Sequence, residues 1–459
     1  MSFVKRAPAL ALVGAVTVGA VSMQYRTPLV AQDAAPTFAK DVAPILYENC
    51  TSCHRQGGLG PFSLMDYDSA KANVKDIRDA VKSGYMPPWH AEGPHDVFSN
   101  DRRLSEFDKS TILRWIDGGA KPGDLKKAPA KPTYATGWEL GTPDAIVTMP
   151  SDFTVPAKGT VDYQYFEIPT NFTEDKWVTA IEFMPGAREV VHHLLVYAKV
   201  PQPQQTQVAT AATATAAPAP GAAPAARPKP LFVNQPFYET PPDPPRQPGD
   251  KNPPPRQLGT LIGGTAPGTN TMYMPAGTAI RVRKGTVLTF QMHYTASGHE
   301  MHDRTSVGFR FATEAPTEEM RMSAFINGAF TLPAGKSSVA VESALEPTEP
   351  VVIHGLLPHT HLRGKKWKYE LVLADGTRKI VLDVPRYDFN WQTYYFFKQP
   401  LEIPAGAKLV STAWYDNSAE NPSNPDAKIN VKWGDQTWEE MQYTGFLYTV
   451  PSRKLKAGN

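Results

Sequence analysis

The chain has 459 residues, room for about three domains, and its 47 basic and 45 acidic residues nearly cancel to a formal charge of +2. So small a charge gives no argument for nucleic acid or for an acidic surface as partner. The two cysteines cannot build a disulfide framework, and a chain of this length can bury an adequate core without one.

The N-terminus carries Lys5 and Arg6, then the apolar, small-residue run APALALVGAVTVGAVSM at residues 7 to 23, then small residues suited to cleavage near Ala31. This is the pattern of a secretory signal over residues 1–31. The run is shorter than the ~20 apolar residues that a membrane span needs, and no later segment resembles a transmembrane helix. A periplasmic or secreted chain with no stable membrane span is expected.

Residues 36–125 carry most of the helical pattern. FAKDVAPILYENC reads as a short helix, residues 68 to 84 as a second stopped by Gly84, and residues 105 to 120 as a third. The third has Ser105 as N-cap, Leu113, Trp115 and Ile116 near its apolar face, and Gly118-Gly119 as terminator. The first runs into CTSCH at residues 50 to 54, which holds both cysteines of the chain. C-x-x-C alone also suits a redox dithiol or half of a zinc site, but a zinc ribbon needs a second C-x-x-C, and His54 completes the c-type haem attachment signature. Cys50 and Cys53 are then thioether positions for one covalent haem c, and His54 is placed to put its imidazole on the iron.

A sixth iron ligand is expected between the later helices. GYMPPWH at residues 84 to 90 holds Met86 in a proline-flanked loop, where a thioether opposite His54 would raise the haem potential; His90 and His95 are the other candidates. The segment resembles small class I cytochromes c, with a haem-bearing helix at the start and a packing helix at the end. That resemblance implies a small all-α cytochrome c domain with Met86 as distal ligand.

After a charged linker at residues 126–137, short β-branched and aromatic runs recur between turn residues, among them residues 162 to 168, 176 to 185, 285 to 298, 365 to 376 and 407 to 417. This spacing, with 45 prolines in the chain, points to β-sandwiches. Residues 201–257 break the pattern with Ala/Pro tracts that have no core-forming periodicity. They read as an extended surface insertion, and deleting residues 205 to 250 is expected to leave both copper sites intact.

Eight of the eleven histidines fall after residue 190. With no cysteine left, imidazole and thioether are the soft ligands available, and they suit copper. In HTH, His359 and His361 share one face of a strand and can chelate a single ion. His192 and His193 point to opposite faces of a regular strand, so both reach one ion only through a bulge or through different ring nitrogens. His293 is a lone strand histidine, His299 and His302 fit a solvated turn, and His354 fits a packed or hydrogen-bonded position.

Taken in order, VHHLLVYA, QMHY, HTHLRG and GDQTWEEMQY resemble the copper type II ascorbate-dependent monooxygenases, the family of peptidylglycine α-hydroxylating and dopamine β-monooxygenases. The resemblance implies two all-β, jelly-roll-like sandwich domains, residues 138–312 and 313–455, each with one copper, facing across a solvent-filled gap. Carried over by motif, His192, His193 and His293 hold the electron-transfer copper, and His359, His361 and Met441 hold the catalytic copper. It also implies O₂ and a small-molecule substrate as partners, with an ascorbate-like reductant or an electron-transfer protein as donor. The peptide-hydroxylating member has an arginine two residues before its H-x-H, where this chain has Leu357, so a peptide-amidating activity is not carried over. The same residues also suit a non-enzymatic electron-transfer cytochrome with copper-binding sandwiches.

Overall fold

The structure is a computed structural model that describes residues 35–200, 230–233, 258–265 and 271–455. The expected secretory signal and most of the Ala/Pro insertion lie outside the described residues. Among the described residues, no helix is long and apolar enough to cross a membrane.

The chain is mostly β-sandwich sheets with few helices. The helical segments are Ala43–Asn49, Tyr67–Ala72, Val74–Ser83 and Glu106–Asp117, preceded by a π-turn at Phe38–Val42. Local chemistry sets their ends. The Asp66 carboxylate accepts from Ser69 N–H and the Ser105 hydroxyl accepts from Asp108 N–H, while Gly84 closes Val74–Ser83 in the left-handed region at φ 74°. On the last helix the buried face is Thr111, Ile112 and Trp115, not Leu113 and Ile116, which are only half-buried. Trp115 meets Phe38 at 6.0 Å, so the first and last helical segments share one core with Leu46, Ile77 and Val81.

The first sandwich faces a six-stranded sheet, centred on Lys176–Met184 and Ser306–Phe311, with a four-stranded sheet. The latter runs in the order Gln164–Pro169, Val287–Tyr294, Val191–Lys199, Thr260–Thr265. Ile181 and Phe183 from one sheet pack with Leu194, Val196 and Phe290 from the other. In the second sandwich, Arg321–Ile326, Tyr443–Thr449, Val351–His359 and Tyr395–Ile403 form one sheet. Val339–Leu345, Lys408–Tyr415, Gly364–Val372 and Arg378–Val384 form the facing one. Alternation decides which residues enter: Trp367, Tyr369 and Leu371 point inward along Gly364–Val372, while Lys368 and Glu370 between them do not.

Two features were not legible in sequence. Residues 89 to 98 leave the helical core and pack into the second sandwich through Trp89, Ala91 and Phe98, with bridges Glu92 to Asp383 and Phe98 to Phe397. And the insertion is not all surface. Leu231 and Phe232 are buried in the second core, where Phe232 meets Tyr448 at 5.6 Å, and Val233 N–H donates to Glu346 C=O. Two apolar residues in a proline-rich tract have no periodicity to reveal them, yet burying Leu and Phe stabilises by about 1.5–3 kcal/mol each. Deletion of residues 205 to 250 would therefore remove two buried side chains from the second core, so the tract is not wholly a surface insertion.

Candidate metal centres

The first histidine set is built by an irregularity in one strand pair. Val191–Lys199 and Val287–Tyr294 pair in antiparallel register with a shift between Val191 and His193, after which His193 stands directly opposite His293. This bulge is what a consecutive His-His pair needs to aim both rings at one point. The Nδ1 atom of His193 lies 3.2 Å from that of His192 and 3.3 Å from that of His293. Nitrogens bound tetrahedrally to one ion at ~2.0 Å stand about 3.3 Å apart, the spacing of His193 Nδ1 from each of its two neighbours. They are the one cluster among the described residues whose His, Cys or carboxylate atoms converge within 4.8 Å. Burial pushes His192 down to about 4 and His293 to about 3, and His193 well below its usual value, so all three rings are neutral at pH 7 with lone pairs free to bind.

The second set uses the other ring nitrogen. His359 ends Val351–His359 and its Nδ1 is 2.7 Å from Gln392 Oε1, while His361 Nδ1 is 3.2 Å from Glu439 C=O. Both acceptors fix the tautomer with the proton on Nδ1, and the buried Nε2 of His361 has no hydrogen-bond partner. A buried imidazole lone pair without a partner is costly and fits a metal ligand. The two rings are 5.2 Å apart, and burial lowers His359 to about 4 and His361 well below the usual range.

Met441 reaches this place through strand pairing. His359 pairs with Tyr443, two residues after Met441, which itself stands outside the strand. The Glu440 carboxylate accepts from His361 N–H at 2.8 Å and Arg363 N–H at 2.6 Å, and burial pushes it up to about 8. Met441 itself is half-buried, and its C=O accepts from the Tyr415 hydroxyl at 2.7 Å. Sequence reasoning missed Gln392, Glu440 and the fully buried Arg363, which donates to Asn417 and to Trp438 C=O. Glu440 and Arg363 sit inside the motifs already singled out; Gln392 has no signal in the sequence.

The two sets are adjacent. The rings of His193 and His359 lie 6.4 Å apart, and Phe389 stacks on His192 at 5.1 Å while meeting His361 edge-on at 6.3 Å. The expected solvent-filled gap is not what this structure has. Met320, Met322, Leu357, Tyr394 and Leu447 of the second sandwich join the apolar core of the first, which closes the seam beside the imidazoles.

At the other candidate centre, Cys50 and Cys53 are free and half-buried. Burial, then the neighbouring Cys53, pushes the Cys50 thiol up to about 12, the opposite of what the attacking sulfur of a redox dithiol requires. Cys53 N–H and His54 N–H both donate to Cys50 C=O, which coils the motif into a turn. His54 Nδ1 is 3.2 Å from Phe62 C=O, leaving Nε2 as the ligand atom, and a Cβ on Gly60 would come within 2.6 Å of the ring. These residues fit a haem attachment site. Met86 is half-buried. Of its rivals, His95 is exposed beside Asp101 at 3.3 Å, and His90 is buried with its pKa lowered by desolvation.

The remaining histidines join neither set. His354 Nε2 is 3.1 Å from the Thr449 hydroxyl. His299 is exposed beside Glu189, and His302 is exposed opposite Thr154, in the short strand Met301–Asp303 and not a turn.

No protein-family model matches this chain, and no curated protein matches it. Among solved structures it is similar to the major capsid protein P2 from bacteriophage PM2, at 8% identity and a TM-score of 0.28, covering 67% of this chain and 98% of that one. It is also similar to VP54 of PBCV-1, fitted into a reconstruction of the virophage Sputnik, at 9% identity and a TM-score of 0.23, covering 72% and 99%. Likeness at this level carries no argument about function.

Proposed function

We propose that this chain is an exported haem–copper oxidoreductase, and more particularly a monooxygenase resembling the copper type II ascorbate-dependent family. The observation that carries the reading is the division of ring nitrogens: three Nδ1 atoms converge in one sandwich, while in the other two imidazoles have Nδ1 tied up and Nε2 left for a ligand. The overall reaction is insertion of one oxygen atom of O₂ into a C–H bond, the other leaving as water, with two electrons and two protons supplied by an external reductant. When bound, copper supplies one-electron redox chemistry and O₂ activation, and haem c supplies an electron relay.

The chain's own residues hold and orient. His192, His193 and His293 form an all-imidazole set that can support both copper oxidation states. His359 and His361, with soft Met441 just before the adjoining strand, form a set that favours the reduced ion. Gln392 and the Glu439 carbonyl lock the second pair's tautomers, and Glu440 fixes the backbone between His361 and Arg363. Phe389 bridges the two sets, stacked on His192 and edge-on to His361. Cys50, Cys53, His54 and Met86 are the proposed haem c positions.

Metal analysis and peptide mass spectrometry of periplasmically matured protein should find one covalent haem and two coppers. Anaerobic reduction followed by O₂ should then reoxidise copper together with formation of a hydroxylated product. Copper binding with no O₂ consumption coupled to product would instead make the chain an electron carrier.

A further inference from the structure

A cleft of about 790 Å³ opens between the loop after Val74–Ser83 and the second sandwich, within the ~300–1,000 Å³ range of small-molecule sites and at a junction where such sites concentrate. Tyr85 lines it from the loop after the helix and His90 from the segment packed on the second sandwich; Lys365, Arg386, Asp388 and Phe389 line it from the sandwich itself. Phe389 also stacks on His192, so one aromatic ring is shared between the cleft and the imidazole cluster.

The charges in the cleft are poorly matched internally. Arg386 is exposed and makes no hydrogen bond or ion pair among the described residues. The Lys365 ammonium donates to the neutral Asn421 Oδ1 at 2.8 Å. Asp388 Oδ1 accepts from the backbone and side-chain amides of Asn390. His90 is held neutral by burial. Two cations against one carboxylate leave a net positive cleft whose apolar surfaces are the rings of Phe389 and the exposed Tyr85.

We propose that this cleft binds a small aromatic monocarboxylate, with the carboxylate on Arg386 and Lys365 and the ring against Phe389. A guanidinium matches a carboxylate in geometry as well as in charge, and an aromatic wall favours a flat, apolar body. The site stands on its own side chains, whatever metal the imidazoles hold.

The test is calorimetric titration of the haem-loaded protein with benzoate and with benzyl alcohol, before and after copper is removed by chelation. Benzoate should bind saturably to both forms, with benzyl alcohol at least tenfold weaker. Arg386→Gln and Lys365→Gln should each weaken benzoate by about 10-fold or more, the scale of a charge-assisted hydrogen bond, and leave benzyl alcohol unchanged. No saturable benzoate binding, equal affinity for the alcohol, or unchanged affinity in both variants overturns the proposal. So does binding that disappears with copper, which would put the anion on the metal. A chain that holds no copper at all would fail the oxygenase reading and still leave the metal-free titration as a test of the cleft.

Discussion

His193 and His359 belong to different sandwiches, yet their rings lie 6.4 Å apart at 80° to one another, both buried. Each imidazole set is therefore part of the other's surroundings, and positive charge on one disfavours charge on the other.

Met441 provides the sharpest distinction between the two sets. Met441→His should keep copper bound but slow O₂-dependent turnover severely, because an imidazole holds the oxidised ion more firmly than a thioether does. His293→Ala should instead lower copper content to about one ion per chain and interrupt electron delivery from the haem. Elemental analysis with stopped-flow reduction and O₂ uptake checks both; full oxygenase activity in Met441→His would count against the assignment.

Gln392 acts through His359. Removing its carbonyl oxygen frees the ring to rotate and to change tautomer, so Gln392→Ala should weaken copper at the His359/His361 site by about 10–100-fold. Competition with a chelator of known affinity measures this, and Gln392→Glu, which keeps an acceptor, should restore most of the loss.

In metal-stripped protein the buried histidines make stability depend on pH. His293 and His359 have folded values of about 3 and about 4, below the ordinary 6.5, because burial disfavours the imidazolium. The unfolded chain then binds more protons between these limits. Stability is fully present above pH 6.5 and falls with acidification, by about 1.4 kcal/mol per pH unit for each histidine, until the folded values are reached. Urea midpoints between pH 7 and pH 4.5 should drop, and bound copper should raise them across that range without changing the slope, because the native imidazoles already lack the protons that copper would displace.

Phe232 ties an irregular segment into the second core. Phe232→Ala should cost about 3–5 kcal/mol, read as a fall in the urea midpoint at constant slope. A deletion sparing residues 230 to 233 should avoid that loss.

At the haem motif, Gly60→Ala would drive a Cβ against His54 and displace the ring from Phe62 C=O. Haem content per chain should fall. Met86→Ala should leave the covalent haem in place but abolish the sulfur-to-iron absorption band near the red end of the visible spectrum in the oxidised protein. A persisting band would assign the distal position elsewhere.

Much of this architecture could be read locally. The helix around the CTSCH motif, the capped helix after Ser105, and strands such as Val287–Tyr294 and Lys408–Tyr415 follow from periodicity and turn residues close at hand. His192, His193 and His293, which the family resemblance grouped, lie together in space, and H-x-H by strand geometry keeps His359 and His361 side by side. The bulge was one of two stated ways for His192 and His193 to share an ion, and the register shift supplies it. Leu231, Phe232 and the Trp89–Phe98 strap were misread because each is an isolated apolar group whose partner lies far away in the chain.

The sequence by itself determined the candidate ligand types, their order along the chain and the strands that carry or adjoin them, because those depend on neighbours within a few residues. Only the tertiary structure decided which ring nitrogen each histidine presents, that Gln392 and Glu440 hold the second pair, and that the two sets meet across an apolar seam. Those depend on where distant strands pair and how two sandwiches pack. Ring orientation is set by hydrogen-bond partners brought in from elsewhere in the chain, and the space between the sites by apolar area buried between domains, neither of which leaves a local pattern.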